Sequence, residues 1–243
     1  MNTPLAASVC DARMLATVDR LVSQKSPLHG AYFTALREGS LTRADFIRSQ
    51  RQFFHAVRFF SRPMAALMAR LPDSASRQTL MHNLAEEHGY EETRGDFRPS
   101  LAHDHTFIAF LESLGVPREE MGSEPEGAAA RAFNMALLGT CAMAEMDLAF
   151  ACLGVIEYTF ADLSAQIGQS VVARGWVAQD RLVHYALHAE IDKEHAAGFF
   201  RMVEPAWEEG GSRRATVEQG LSLGLHLFYR LYEDLAELHG RSP

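Results

Sequence analysis

Between residues 188 and 195 the chain reads His-Ala-Glu-Ile-Asp-Lys-Glu-His, which sets His188, Asp192 and His195 at i, i+4 and i+7. At about 100° per residue these positions fall at roughly 0°, 40° and −20° around a helix, so the three side chains leave one face. Two imidazoles and a carboxylate pointing the same way suit a divalent transition metal. The blander reading is a solvated histidine face with Asp192 paired to Lys193 or to a neighbouring helix. The remaining candidates weigh against it.

Glu157 is the only acidic or basic side chain charged at neutral pH from Leu148 through Phe160, an otherwise apolar, small-residue run. A helix of that composition is buried all round, and a carboxylate inside it requires a cation, a strong hydrogen-bonding partner or a proton. Glu145 and Asp147 lie in the first turn of the same helix, where the dipole favours negative charge. A third cluster is Glu86-Glu87-His88-Gly89, followed after a polar loop by His103-Asp-His105. Neighbouring helical positions differ by about 100°, so Glu86, Glu87 and His88 cannot all face inward. The apolar positions Leu80, Met81 and Leu84 favour Glu87 or His88 as the core-facing member. His103 and His105 point apart if helical, leaving one for a metal and one for solvent.

The elements that position these residues are helical nearly everywhere, with no alternating strand pattern or hairpin signal. Helices are expected over about 11–24, 27–38, 42–60, 74–89, 99–114, 128–138, 145–174, 180–203 and 216–238. The expected boundary signals are Ser26-Pro27, Gly39, a capping box at Thr42 to Asp45, a break at Pro63, a division near Gly139-Thr140, and a polar loop over 208–213. No repeat or linker divides the 243 residues, so the fold class is all-α: one domain, residues 1–243, of about eight helices.

Composition narrows the function classes. A formal net charge of −8 with no basic run argues against nucleic acid as a partner. The longest apolar run, Leu148 to Ala161, is short for a membrane span and holds a carboxylate. The N-terminal residues lack the pattern of a secretory signal. Cys10, Cys141 and Cys152 form no paired motif and suit free thiols in a reducing cytoplasm.

Taken jointly, Glu-Glu-His-Gly, then His103, then a lone buried Glu157, then His-x3-Asp-x2-His resemble the heme-oxygenase-like diiron oxidases. The resemblance runs from about Leu28 to Leu238 and includes the Gly-Ser-Leu-Thr turn at 39–42. It implies the heme-oxygenase-like helical bundle, without haem, and two Fe(2+) ions per chain with O2 as co-substrate. Carried over, one iron takes Glu87, His103 and His188, and the other takes Glu157, Asp192 and His195. The spacing from Glu87 to His103 is longer than in relatives, which leaves Glu87, Glu86 or Asp96 as the first acidic ligand.

The implied activity is O2-dependent oxidation of a small molecule, by amine N-oxygenation, desaturation or oxidative cleavage. An external electron donor and a homodimer are further expectations. A ferritin-like protein would show Glu-x-x-His motifs, and this chain has none. A haem oxygenase would use a proximal histidine, for which His29 is available, without needing six further ligands. Cofactor-free relatives remain as alternatives: thiaminase II-like enzymes with a nucleophilic cysteine, and pyrroloquinoline quinone synthase-like enzymes. A non-enzymatic metal- or partner-binding protein is the other class. A relative that forms p-aminobenzoate from its own side chains needs a placed tyrosine and lysine; only Lys25 and Lys193 are available here, which disfavours that route.

Overall fold

Side-chain caps and glycines set most of the helix ends. The computed structural model describes residues 12–238, so Cys10 and the N-terminal residues judged above for a signal lie outside it. Helix α1 spans Ala12–Lys25 and is followed by a 3-10 turn, Pro27–His29, whose Leu28 N–H is accepted by Ser26 Oγ at 3.2 Å. Helix α2 (Ala31–Glu38) stops at Gly39, whose φ of 89° is open to glycine and strained for other residues. Helix α3 (Arg43–Val57) opens on the expected box. Thr42 Oγ1 accepts the Asp45 N–H at 3.1 Å and donates its own proton to the Asp45 carboxylate at 2.6 Å.

Pro63 does not break a helix. The chain turns before it, at 58–60, and Pro63 is the third residue of α4 (Ser61–Met68), where no intrahelical N–H bond is lost. Helix α5 (Ser74–Glu87) is capped by Asp73, which accepts the Ser76 N–H at 2.9 Å.

Next comes a feature the sequence pattern did not announce. Tyr90–Glu91 (β1) and Asp96–Phe97 (β2) pair antiparallel, Tyr90 with Phe97 and Glu91 with Asp96. Two residues a side are too few for a readable alternation. Gly89 enters this hairpin with φ 88°, and a Cβ there would lie 2.3 Å from the Arg98 carbonyl oxygen.

Helix α6 is His103–Ser113, and α7, Ala128–Met143, runs straight through Gly139-Thr140 instead of dividing there. Helix α8 is Met146–Ala173 and α9 is Val183–Glu209, which continues past Pro205. The expected polar loop at 208–213 is a single corner: Gly210 and Gly211, with φ 78° and 57°, pass directly into α10 (Gly211–Ala236). The described residues thus hold ten α-helical segments, an all-α architecture apart from the two-residue pair.

Helix α8 is the centre of the bundle because it is apolar around its whole circumference. By length and composition it could cross a membrane, yet 83% of its most apolar window is buried by the other helices. Helix α9 packs along one side and α10 along another. Small residues permit this approach: a Cβ on Gly220 would sit 2.3 Å from the Leu148 carbonyl oxygen, and one on Gly224 2.6 Å from that of Cys152. Glu157 is therefore carried at mid-helix into the interior, opposite the inward face of α9.

Candidate metal centre

All six residues singled out from the sequence meet in one place. Glu87 comes from the last turn of α5, His103 from the first residue of α6, Glu157 from the middle of α8, and His188, Asp192 and His195 from α9. Glu87, Glu157, His188, Asp192 and His195 are buried, and the His103 side chain is 10% exposed. His188 Nδ1 lies 2.7 Å from Asp192 Oδ1, and the Glu87 carboxylate contacts His103 Nδ1. His195 Nδ1 faces Asp192 Oδ1 at 3.9 Å and Glu157 Oε2 at 4.0 Å. The His103 and His188 rings have centroids 4.3 Å apart.

The question of the first acidic residue has a geometric answer. Glu87 turns inward, and its carboxylate lies within 4.8 Å of a Glu157 carboxylate oxygen and a His195 ring nitrogen. Glu86 lies outside the cluster, with Oε2 2.8 Å from His195 Nε2 and 3.4 Å from His82 Nε2. Asp96 is exposed in the hairpin. The longer spacing between Glu87 and His103 is that hairpin, an excursion that returns the chain to the same end of the bundle.

Burial and mutual charge move several groups of the cluster away from their ordinary ranges. Burial drives the Glu157 carboxyl well above the ordinary range, and the charges of Asp192 and Glu87 add to the shift. Burial would also raise Glu87, but His103 beside it, with His188 and His195 beyond, holds it at about 2. Burial opposes protonation of His103 and His195, yet Glu87 raises the first and Glu86, with Asp192 and Glu87, raises the second. Protons thus do part of the work of neutralising a dense set of carboxylates.

The donor set fits a metal. Five buried ligand atoms have no hydrogen-bond partner: Nε2 of His103 and of His188, Nδ1 of His195, Oε1 of Glu157 and Oδ2 of Asp192. Orphaned atoms of this kind are costly in a core and are rarely left so. Three imidazoles and three carboxylates form a mixed nitrogen and oxygen set suited to iron.

Sequence reasoning overlooked one residue and gave another a different role. His184, one turn before His188 on the same stripe of α9, brings its ring within reach of His103 and His188, the three ligand nitrogens lying within 4.8 Å of one another. Extending the i, i+4 register back by one turn would have found it. Glu86 was weighed only as a ligand, whereas its carboxylate accepts a hydrogen bond from His195 Nε2.

An apolar cavity opens beside the cluster. Phe53, Ala56, Val57, Phe60, Phe133, Ile156, Phe160 and Phe228 line it, with His103 and Glu157 as its polar wall. The aromatic part of α3 therefore serves both core and cavity. His55, on the same helix, is buried, and its Nδ1 lies 3.0 Å from the Arg58 guanidinium.

Fold and cluster define a class: a heme-oxygenase-like helical bundle with a buried imidazole–carboxylate centre. The chain belongs to the iron-containing redox enzyme family, whose model matches residues 48–229. It is 20% identical over 222 residues to a 4-aminobenzoate synthase of Chlamydia trachomatis, covering 90% of this chain and 92% of that one. Among solved structures, a TenA homologue from Pseudomonas syringae superposes with a TM-score of 0.70 at 15% identity, covering 98% of each chain. A domain of unknown function with a heme-oxygenase-like fold from Shewanella denitrificans gives 0.67 at 13% identity, covering 93% of this chain and 89% of that one.

Proposed function

We propose that this chain is an O2-dependent diiron oxidase that holds two Fe(2+) ions and oxidises a small organic substrate seated in the apolar cavity. The observation that carries the reading is the convergence of five orphaned ligand atoms in the core of an iron-containing redox family member. Two ferrous ions there would supply electrons to O2, and an external donor would return them to the ferrous state. The chain's own residues hold the ions, keep bulk water out, and present His103 and Glu157 to the cavity. The lining favours a substrate with an alkyl or aryl portion. Amine N-oxygenation, desaturation and oxidative cleavage are the outcomes to be distinguished, and a homodimer is the assembly to be tested.

A thiaminase II-like activity finds little support despite the TenA-like fold. Cys141 and Cys152 are buried, and burial pushes the Cys141 thiol up to about 12 and Cys152 higher still, which makes both poor nucleophiles. The 4-aminobenzoate synthase likeness also does not supply a lysine at the centre. Lys193 is exposed, 3.0 Å from Asp162 and over the Tyr158 ring.

The test is anaerobic titration with Fe(2+), followed by mixing with O2 in a stopped-flow instrument against a panel of amines, amino acids and carboxylates. Binding of about two irons per chain, with a transient visible band accelerated by one compound class, is expected. His188→Ala and His195→Ala should abolish rapid O2 consumption. Glu145→Ala and His226→Ala, both exposed, should leave it intact. Saturation below one iron per chain would end the dinuclear reading.

A further inference from the structure

We propose that His184 is a further nitrogen ligand of this centre, on the side occupied by His103 and His188, an inference that rests on the metal reading above.

One tautomer of His184 satisfies both contacts of Thr106 at once. A threonine hydroxyl has one proton to give. Thr106 Oγ1 gives it to the His103 carbonyl oxygen at 2.9 Å. Toward His184 Nδ1, 3.0 Å away, the same oxygen can then only accept. Nδ1 therefore carries the proton, and the lone pair of His184 lies on Nε2. That atom is buried and has no hydrogen-bond partner.

Its surroundings leave one direction in which it can be satisfied. The His184 ring packs edge-on against Phe107 at 4.8 Å and Tyr185 at 5.1 Å between centroids, neither of which offers it a donor. On the other side stand His188, at 4.3 Å, and His103, at 5.0 Å. A neutral imidazole with its far nitrogen bonded and its near nitrogen bare is the arrangement found in metal-bound histidine. The centre is then asymmetric. His103, His184 and His188 make one end rich in nitrogen, while Glu87, Glu157 and His195, with Asp192, make the other rich in oxygen.

The experiment uses Co(2+) as a spectroscopic probe in the full chain. His184→Asn keeps an amide donor for Thr106 and removes only the nitrogen that faces the metal; His184→Ala, with and without added imidazole, is the second variant. Thermal unfolding verifies that both fold. The expected result is that affinity at one of two Co(2+) sites falls at least about tenfold, its visible absorption changes, and one paramagnetically shifted histidine N–H proton signal disappears. Imidazole should restore the absorption of His184→Ala. Wild-type spectra and affinities in a folded His184→Asn variant would overturn the proposal and make His184 a packing residue. Wild-type protein that binds no Co(2+) or Fe(2+) would instead overturn the metal reading on which it rests. His188→Ala, which removes an expected ligand, separates the two failures: it loses metal even if His184→Asn does not.

Discussion

Glu86 Oε2 lies 2.8 Å from His195 Nε2, on the edge of the ring remote from Asp192 and Glu157, which Nδ1 faces. The carboxylate thereby fixes which nitrogen bears the proton and which stays free for a metal. Although burial works in the opposite direction, the bond to His195 holds the Glu86 carboxyl below its ordinary range, so it is a charged acceptor at neutral pH. Replacing Glu86 by Ala should weaken metal binding by about 10- to 100-fold while leaving the fold intact. Metal analysis after titration measures this, and unchanged affinity would show that His195 is oriented by packing alone.

Protons held by the buried groups of the centre are ones that a bound metal would displace. Glu157, His103 and His195 all have pKa values raised above those of the free side chains. Each binds metal only when deprotonated, so loading should release protons and affinity should rise with pH. An indicator dye in weak buffer during anaerobic Fe(2+) addition reads the release directly. Loading without acidification at neutral pH would contradict the protonation pattern described here.

How far the centre could be read from the sequence depended on distance along the chain. His188, Asp192 and His195 were legible because helical periodicity alone puts them on one face. Glu157 was legible because a lone carboxylate in an apolar run demands a partner. Glu87 and Glu86 could not be separated, since their facing depends on where α5 ends and the hairpin begins. His184 was within reach of the same periodicity, one turn before His188, but its bond to Thr106, 78 positions away, is revealed only by the packing of α6 on α9. The helix boundaries that went astray, at Pro63, Gly139 and 208–213, share a cause. Proline and glycine mark breaks in the sequence, but Pro63 sits in the first turn of α4, Gly139 lies inside α7, which packs on α4, and only the Gly210-Gly211 corner separates α9 from α10.

Glu157 should cost the metal-free protein stability. A carboxyl whose folded pKa is raised contributes stability that is intact below its unfolded pKa and is lost as pH rises through the folded value. Glu157→Gln removes that titration and keeps the shape. The metal-free variant should therefore be more stable than the parent, with the gap widening as pH increases, on the order of 1–3 kcal/mol at its largest. For a chain of this length 1 kcal/mol corresponds to about 2–4 °C in melting temperature. The same variant should lose iron binding. Parallel melting curves from acidic to alkaline pH, with no widening of the gap, would argue that Glu157 is neutralised by a partner within the protein instead.

Glycine to alanine changes should have opposite signs at two helical positions. In a helix interior alanine is favoured over glycine by about 0.8–1 kcal/mol, and an added Cβ at Gly139 meets nothing within 4 Å, so Gly139→Ala should raise the melting temperature. At Gly220 the same Cβ would fall 2.3 Å from the Leu148 carbonyl oxygen and 2.9 Å from the Ala151 Cβ. Backbone cannot yield as the end of a flexible side chain can, so α10 would have to move away from α8. Overpacking of this kind costs about 1–3 kcal/mol or more, which outweighs the propensity gain. The displacement would also loosen the wall that α10 contributes to the cavity through Phe228. Gly220→Ala should accordingly lower the melting temperature and slow substrate turnover without removing iron, because none of the proposed ligands lies on α10. Calorimetry of the two variants side by side is the check, and a stabilised Gly220→Ala would mean that α10 does not depend on this close approach.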